Sequence, residues 1–370
     1  MIATPPPAPA AAIVEMQGEK VIAARAWGLA DRRTGRAARP DDPVRIASIS
    51  KLAVALGVMR LVEAGKLDLD ADVSGYLGWS LRNPAFPDRP ITLRQLLSHT
   101  AGVRDAAGYA LPLDADLVAH LAQPAAWDAA HGPGYFAYAN LNFPIIAAAM
   151  EGATGERFDR LMARLVFRPL RIDACFNWTT CSPAKTARAV VLYRADGSVA
   201  RDDDAGKGCP GTPARDGGCD LARYRLARGG AFFSPQGGMR IGMVGLARLG
   251  RALVRPGFLS RGSLATMARP AWRFDGRNGD TEGGFYCGYG LGVMLLALPG
   301  RPATCADDPF GDGRARIGHA GEAYGLRSGL WIDPARGRTV AFYVTAVADD
   351  APRGRSAFTA AEEGMIGALK

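Results

Sequence analysis

A serine and a lysine, Ser48 and Lys51, stand three residues apart in the sequence S-I-S-K at the start of an apolar stretch. Residues three apart share one face of a helix, so this spacing predicts that the Ser48 hydroxyl lies beside the Lys51 amine. A helix amino terminus favours developing negative charge, and burial disfavours the ammonium form of lysine. The pair therefore has the chemistry of a serine nucleophile with a lysine base. A second pair, Ser182 and Lys185, encloses a proline between two cysteines, and we interpret it as chance.

Two further motifs supply polar groups later in the chain. Tyr138 and Asn140 lie in a predicted loop, where the phenol is suited to relay protons and the amide to hold the lysine and a substrate. His319 and Gly321 precede a late pair of predicted strands. Gly321 would let a substrate lie close against a strand edge, and the backbone N–H of Glu322 follows as a candidate oxyanion donor.

Each motif is short enough to occur by chance, but their order along the chain is specific. Together they resemble the active-site motifs of the serine β-lactamases, the penicillin-binding DD-peptidases and the family VIII esterases, a superfamily with an S-x-x-K signature. Further segments match the same superfamily, and they are Leu96–Val103, Gly229-Gly230, Pro235–Met239 and Tyr289–Gly292. His99 falls in the first of these segments and is expected to belong to a structural loop. The resemblance spans residues 12 to 370.

This resemblance implies an acyl-enzyme mechanism and a role for each matching residue. It makes Ser48 the nucleophile and divides the base and acid steps between Lys51 and Tyr138. It makes Asn140 a substrate-positioning residue. The backbone amides of Ser48 and Glu322 would form the oxyanion hole.

The third motif departs from the superfamily pattern. His319 stands where many members have lysine, and a mostly neutral imidazole attracts a substrate carboxylate less strongly than an ammonium does. Ala320 removes a hydroxyl at the next position. Arg327 is either a replacement carboxylate-binding group or a surface arginine. The acidic Glu322 is expected to narrow the cleft or to select cationic groups. These departures favour an esterase or a peptidase of the D-amino-acid type.

The order of predicted elements indicates an α+β fold. A β-hairpin over residues 12–30 comes first, a buried helix runs from Ser48 to Ala64, and residues 66–165 are mostly helical. Strands are then predicted at Tyr289–Leu298, Leu326–Ile332 and Thr339–Val347, with a hairpin turn at 333–337 between the last two, followed by a final amphipathic helix. We predict an antiparallel sheet flanked by helices, with an inserted mainly helical lobe.

One catalytic domain over residues 1–370 is expected to contain this sheet and lobe. Its α/β lobe would comprise about 11–60 and 225–370, and its helical lobe about 61–224. Within the helical lobe, helices are predicted to start at Thr92 and to cover 141–151 and 156–167.

The six cysteines form three pairs that are local in sequence: Cys175 with Cys181, Cys209 with Cys219, and Cys287 with Cys305. They are either three disulfides in an oxidising compartment or six reduced thiols, and the even set of local pairs favours the disulfides. A periplasmic or secreted protein is therefore expected. The start, Met1–Ala12, lacks the basic and apolar regions of a secretion signal, so a signal would have been trimmed or left out. The insertions 175–219 and 287–305 would form a lid or decorate the surface.

Composition restricts the possible partners. The 370 residues have a formal charge of +9, but the arginines are scattered without a basic and aromatic patch, which argues against nucleic-acid binding. There is no stretch of 18 apolar residues, so no stable membrane insertion is expected. We expect a monomer that needs no cofactor or metal and acts on a small-molecule or peptide substrate. A β-lactamase and a penicillin-binding sensor with little turnover are the alternative functions.

Overall fold

The computed structural model describes residues 9–369, so most of the Met1–Ala12 segment lies outside the described residues. The strands of the described part are β1 (Ala11–Gln17), β2 (Lys20–Trp27), β3 (Leu29–Asp31), β4 (Arg36–Ala37), β5 (Val44–Arg45), β6 (Cys175–Phe176), β7 (Leu192–Tyr193), β8 (Val199–Arg201), β9 (Met239–Ile241), β10 (Trp272–Arg273), β11 (Gly288–Tyr289), β12 (Met294–Leu296), β13 (Arg316–Ala323), β14 (Leu326–Asp333) and β15 (Arg338–Val344).

The α-helices of the same residues are α1 (Ser50–Glu63), α2 (Ser74–Leu77), α3 (Leu93–Leu97), α4 (Leu117–Leu121), α5 (Asn142–Thr154), α6 (Phe158–Met162), α7 (Pro183–Thr186), α8 (Met243–Arg251), α9 (Arg261–Ala268) and α10 (Ala360–Gly367). Short 3-10 turns cover Ala47–Ile49, Pro124–Ala126 and Leu221–Arg223, and a π-helical segment covers Ala163–Phe167.

An eight-stranded antiparallel sheet forms the frame, in the order β10-β11-β12-β13-β14-β15-β1-β2. The predicted hairpin at the start of the chain is present as β1 and β2, and the predicted hairpin turn after Asp333 joins β14 to β15. Strand β1 pairs with β15, so the two ends of the chain meet in the sheet. The expected α+β fold with an antiparallel sheet is confirmed.

Helices cover both faces of this sheet. Along β1, alternate residues enter different apolar clusters, because successive side chains of a strand point to opposite faces. Ala12 and Val14 join the larger cluster, which includes α1 and α8, whereas Ala11 and Ile13 join the smaller cluster with α10. Helix α1 is buried along nearly its whole length, as its uniformly apolar sequence predicts.

The predicted strand Tyr289–Leu298 is wrong in extent. The structure has two short strands, β11 and β12, with a turn between them. Gly292 in this turn has φ of 68°, and a Cβ there would lie 2.6 Å from the Cβ of Ala55 in α1. The chain bends at this point because it packs directly against the helix that follows Ser48, and only glycine fits there. The predicted helix over 156–167 also differs, since its second half is the π-helical segment.

The three expected disulfides are confirmed: Cys175–Cys181, Cys209–Cys219 and Cys287–Cys305. They close loops with sequence separations of only 6, 10 and 18 residues. Each therefore fastens a local excursion rather than joining distant parts of the fold. Among the described residues, no helix is long and apolar enough to cross a membrane.

Candidate active site

The Ser48 hydroxyl stands on the 3-10 turn Ala47–Ile49, directly before α1. We call this segment the nucleophile turn, after the role expected of Ser48. Ala47 has a positive φ of 48°, which alanine rarely adopts. Ser50 fastens this turn, because its hydroxyl donates to the Ala47 carbonyl at 2.6 Å and accepts from the Met239 amide at 3.0 Å. The turn leaves Ser48 partly exposed while Lys51, one turn further, is fully buried.

The Lys51 amine contacts three oxygen atoms. Its Nζ lies 2.9 Å from Ser48 Oγ, 2.7 Å from Asn140 Oδ1 and 3.0 Å from the carbonyl oxygen of Gln236. An ammonium has three donors, so these acceptors match it in number. None of the three is a carboxylate, so among the described residues the Lys51 ammonium has no counter-ion in direct contact.

Burial lowers the pKa of Lys51 to about 7, although the charge of Asp105 opposes the shift. Desolvation disfavours the charged form, and the three neutral acceptors do not compensate for it. At neutral pH a substantial fraction of Lys51 is therefore an uncharged amine. Such an amine, at hydrogen-bonding distance from Ser48 Oγ, is able to take the hydroxyl proton.

The Tyr138 ring lies among other rings. It stacks on His99 with ring centroids 4.4 Å apart and on Tyr286 at 4.9 Å, and its hydroxyl interacts with the Ser48 side chain, with which it shares the cavity wall. Burial raises the pKa of Tyr138 far above its usual value. The side chain is therefore a neutral phenol at physiological pH, suited to donating or relaying a proton rather than to acting as a phenolate.

Asp105 is a site residue that the sequence analysis missed. One carboxylate oxygen accepts from the Asn140 backbone at 2.8 Å and from Asn140 Nδ2 at 2.9 Å, and the other accepts from the Leu141 amide at 2.9 Å. These bonds orient the Asn140 amide so that its oxygen faces Lys51. The available signal was position, because Asp105 stands two residues after the Leu96–Val103 segment.

Gln236 was also missed as a contact. Its carbonyl oxygen is the third acceptor of Lys51, and it lies in the segment Pro235–Met239 that resembles the superfamily. A backbone acceptor of this kind has no signature in side-chain types, so only the folded chain reveals it.

Strand β13 presents a free edge to the site. Strand β12 pairs with β13 only over Arg316–Gly318 in the described structure, and the edge from His319 onward continues alone beside the nucleophile turn. The two-residue turn Tyr324-Gly325 has positive φ at both residues and closes a hairpin on the pair Ala323 and Leu326. Because ladder bonds alternate along a strand, the N–H of Glu322 points to the free edge.

Gly321 lets this strand approach the nucleophile turn. A Cβ at Gly321 would lie 2.3 Å from the Ile46 carbonyl and 2.4 Å from Ser328 Oγ, both closer than any real contact. The Ser328 hydroxyl in turn donates to the Ile46 carbonyl at 3.0 Å. This close packing places the amides of Ser48 and Glu322 on neighbouring elements, as an oxyanion hole requires.

The His319 side chain faces inward and does not line the cavity among the described residues. It is 1% exposed, its Nε2 lies 2.7 Å from the Tyr289 hydroxyl, and its Nδ1 lies 2.5 Å from the Ala320 carbonyl. Burial and then the charge of Lys51 lower the pKa of His319 to about 3. The imidazole is therefore neutral and lies behind the site wall.

Arg327 lines the cavity but is not a surface arginine, because its side chain is only 12% exposed. It forms an ion pair with Glu322, its direct cross-strand partner. The negative charges of Glu362 and Asp349 also act on the Arg327 guanidinium. This ion pair argues against Arg327 as a carboxylate-binding group and against Glu322 as a selector of cationic groups. The guanidinium and the carboxylate already neutralise each other, so neither is free to attract an opposite charge.

The site opens into a cavity of about 760 Å³ that contains Ser48 and Tyr138. Aromatic side chains form part of its wall, and these are Tyr109, Phe285, Tyr286 and Tyr324. Among the described lining residues, none comes from the Cys-bearing insertions 175–219 and 287–305. In this structure those insertions do not cover the site.

The second S-x-x-K pair is a helix cap. Ser182 Oγ accepts from the Lys185 backbone amide at the start of α7 and donates to Asp173 at 2.6 Å. The Lys185 amine bonds instead to Asp41, at a 3.0 Å ion-pair distance. Serine and lysine side chains therefore do not meet there.

Comparison with known proteins identifies the family. A profile described as Beta-lactamase matches residues 2–364. Esterase EstB of Burkholderia gladioli is 31% identical over 354 residues, which cover 90% of this chain and 84% of EstB. The D-alanyl-D-alanine-carboxypeptidase/endopeptidase AmpH of Escherichia coli K12 is 30% identical over 194 residues, half of this chain and 48% of AmpH.

A solved structure shares the fold. The D-amino acid amidase of Ochrobactrum anthropi, in complex with L-phenylalanine, superposes with a TM-score of 0.69 at 18% identity and covers 97% of this chain and 91% of the amidase chain. The sequence matches and this likeness agree with the geometry around Ser48 and Lys51. The chain belongs to the β-lactamase family and is a serine hydrolase of that superfamily.

Proposed function

We propose that this enzyme hydrolyses esters or amides through an acyl-enzyme on Ser48, with Lys51 as the general base. The observation that supports this most strongly is the 2.9 Å contact between Lys51 Nζ and Ser48 Oγ, made by a buried amine whose pKa is lowered to about 7. An amine that is partly neutral at physiological pH and touches a serine hydroxyl has the requirements of a nucleophile and base pair.

In acylation, neutral Lys51 takes the proton of the Ser48 hydroxyl as Oγ attacks the carbonyl carbon of the substrate. The negative oxygen of the tetrahedral intermediate is stabilised by the backbone N–H groups of Ser48 and Glu322. Tyr138 gives its phenolic proton to the leaving group and regains one from the Lys51 ammonium. The bond between carbonyl carbon and leaving group breaks, and the acyl group stays on Ser48.

In deacylation, water attacks the acyl carbon and loses its proton through Tyr138 to Lys51. The bond between the acyl carbon and Ser48 Oγ breaks, and Oγ takes the proton from the Lys51 ammonium, which restores the free enzyme. Asn140 contributes by holding Lys51 through a 2.7 Å contact and by its place on the cavity wall, where it positions the substrate. Gly321 gives the substrate access to the edge of β13.

Esters and amides without an essential carboxylate are the substrates that the site favours. His319 is neutral and buried, and Arg327 is paired with Glu322, so the two residues considered for carboxylate recognition are unsuited to it. Likeness to EstB along most of both chains supports an esterase, and the amidase-like fold is compatible with D-amino-acid amides. Efficient β-lactamase activity is less favoured, because it would benefit from a cation at position 319.

We further propose one catalytic domain over 1–370 with the two lobes outlined from the sequence, acting as a monomer in the periplasm or outside the cell. The larger apolar cluster supports one domain, because it contains residues of both lobes, from Ala10 to Tyr343. Three disulfides support an oxidising compartment.

The test compares wild type, Ser48→Ala and Ser182→Ala. Turnover of p-nitrophenyl butyrate and the intact mass after incubation with a fluorescent penicillin are measured for each. We expect turnover and any covalent adduct to disappear in Ser48→Ala and to persist in Ser182→Ala, the matched serine of the other S-x-x-K pair. Full activity in Ser48→Ala would refute the proposal, whereas an adduct without turnover would favour the penicillin-binding sensor.

A further inference from the structure

We propose that Glu282 binds a protonated amine of the substrate, so that the preferred substrates are esters or amides with a free amine next to the scissile carbonyl. The inference rests on the acyl-enzyme function proposed above and specifies its substrate class. It follows from how the acidic side chains around the cavity are used.

Most carboxylates that line the cavity already have partners. Asp105 accepts from the backbone and side chain of Asn140 and from Leu141. Glu322 is paired with Arg327, and Glu362 accepts from the amide and hydroxyl of Thr359 at 2.9 and 2.8 Å. These three side chains are therefore occupied in the folded protein.

Glu282 differs from them, because its carboxylate has no hydrogen bond or ion pair with the described residues. It lines the same cavity as Ser48 and Tyr138, and its side chain is exposed there. Asp349 likewise makes no direct contact, but it faces the charge of Arg327. The charged group that acts on Glu282 is the carboxylate of Asp280, which is also negative. Although the carboxylate is accessible from the cavity, the protein around it partly desolvates it, and this together with the charge of Asp280 raises the pKa of Glu282. An ammonium would supply the missing counter-charge.

The neighbouring cation does not fill this role. The Arg353 guanidinium is directed to the carbonyl oxygens of Gly283 and Glu282, both at 3.4 Å, and forms no ion pair with the Glu282 carboxylate. Arg353 therefore stabilises the backbone of the loop and does not neutralise the Glu282 carboxylate.

The loop that presents Glu282 is held in place before any substrate binds. The Glu282 amide donates to Asp280 Oδ1 at 3.1 Å, and the Tyr286 amide donates to the Thr281 carbonyl at 3.0 Å. The disulfide at Cys287 follows directly. A loop that is already ordered loses less backbone entropy on binding than a mobile loop does, so this position is suited to selection among substrates.

Aromatic rings complete the surroundings of the carboxylate. Phe285 and Tyr286 line the same cavity as Glu282. The negative charge of Glu282 also helps to raise the pKa of the Tyr138 phenol. An ammonium bound between a carboxylate and aromatic faces gains both an ion pair and cation–π attraction. Because Ser48, Tyr138 and Glu282 line one cavity and Tyr138 interacts with both of the others, such an amine would lie near the scissile carbonyl.

The experiment measures kcat/KM for alanine methyl ester and N-acetylalanine methyl ester, each as D and L forms, with p-nitrophenyl butyrate as an uncharged reference. Wild type, Glu282→Gln and the control Asp349→Asn are compared. We expect wild type to prefer the free amine, Glu282→Gln to lose about 10- to 100-fold on that substrate alone, and Asp349→Asn to retain the preference.

Charge reversal provides an independent readout. Glu282→Lys is expected to disfavour the amine further and to improve hydrolysis of monomethyl succinate, whose carboxylate would then face a cation. An equal loss on charged and uncharged esters in Glu282→Gln, or no preference for the amine in wild type, would overturn the inference. Ser48-dependent hydrolysis of p-nitrophenyl butyrate would still stand in that case, so failure of this inference is distinct from failure of the proposed function.

Discussion

Two buried cationic groups in this fold differ in their partners. Lys51 contacts three neutral oxygens, whereas Arg240 forms an ion pair with Asp202 at 2.8 Å, with both side chains at most 4% exposed. Asn177 accepts from Arg240 at 2.9 Å and from Arg45, a cavity-wall residue, at 3.3 Å.

The difference lies in where the counter-charge stands. Burial opposes ionisation of Asp202, but the charges of Arg240 and Arg45 outweigh it and lower the pKa of Asp202, so this cluster stays charged. Lys51 has no acid in contact, and its pKa falls. A buried cation that is paired with a carboxylate stays charged and contributes to the structure. A buried amine that contacts only neutral acceptors loses its proton more easily and is therefore suited to act as a base.

Removal of the amine is the strongest test of this contrast. Lys51→Met should lower kcat/KM on p-nitrophenyl butyrate by about 10³-fold or more, because the general base is lost while the apolar stem is kept. Lys185→Met, at the lysine of the other S-x-x-K pair, is the control and should keep wild-type rates. Comparable activity in the two variants would exclude Lys51 as the base.

Removal of the acid in the other cluster should act on stability instead. Asp202→Asn leaves two buried guanidiniums without a counter-ion and should lower the free energy of unfolding by about 3–5 kcal/mol in urea titrations. The exposed neighbour Asp204 provides the control variant, Asp204→Asn, which should change stability little. A stable Asp202→Asn protein would contradict the structural role.

The pH profile sharpens the comparison further. A base must be neutral to act, so kcat/KM should rise with pH through about 7, the pKa of Lys51. Asp105→Asn removes a charge that favours the ammonium, which lowers that pKa and should shift the acid limb down by about half a unit to one unit. If Asp105 only held Asn140 in place, the rate would fall and the limb would not move.

Opening a disulfide beside the arginine cluster should have the smallest effect on catalysis. Strand β6 contains Cys175 and pairs with β9 at Arg240, but the loop closed by Cys175 and Cys181 does not line the cavity. The variant with both cysteines changed to alanine should lose about 2 kcal/mol of stability and keep kcat/KM within about twofold. A large drop in kcat/KM in a fully folded variant would mean that the arginine cluster and the active site are coupled.

Local patterns predicted the parts of the fold that are themselves local. The hairpin β1–β2, the helix after Ser48 and the turn after Asp333 each depend on residues within a few positions. The break between β11 and β12 was not predictable, because Gly292 is placed by contact with α1, which is more than 200 residues away in sequence.

The same distinction applies to the site. The sequence predicted the spacing of Ser48 and Lys51, but not Asp105 or the Gln236 carbonyl, which act through partners far along the chain. The alternation of side chains along a strand places neighbouring residues on opposite faces, but it does not tell which face borders the cavity. The sequence therefore could not show whether the His319 side chain faces the cavity or the protein interior. The pairing of Glu322 with Arg327 was accessible, because a two-residue turn sets these residues opposite each other.

The contact at Gly321 bears on how this enzyme can change its specificity. Any side chain at that position would collide with the Ile46 carbonyl and displace the nucleophile turn, so selection and protein engineering have almost no freedom there. At the next position, the proposed oxyanion donor is only the backbone N–H of Glu322, and its side chain lines the cavity. Adjacent residues of one strand thus combine an invariable position with an adjustable one, and new substrate preferences should evolve through the second.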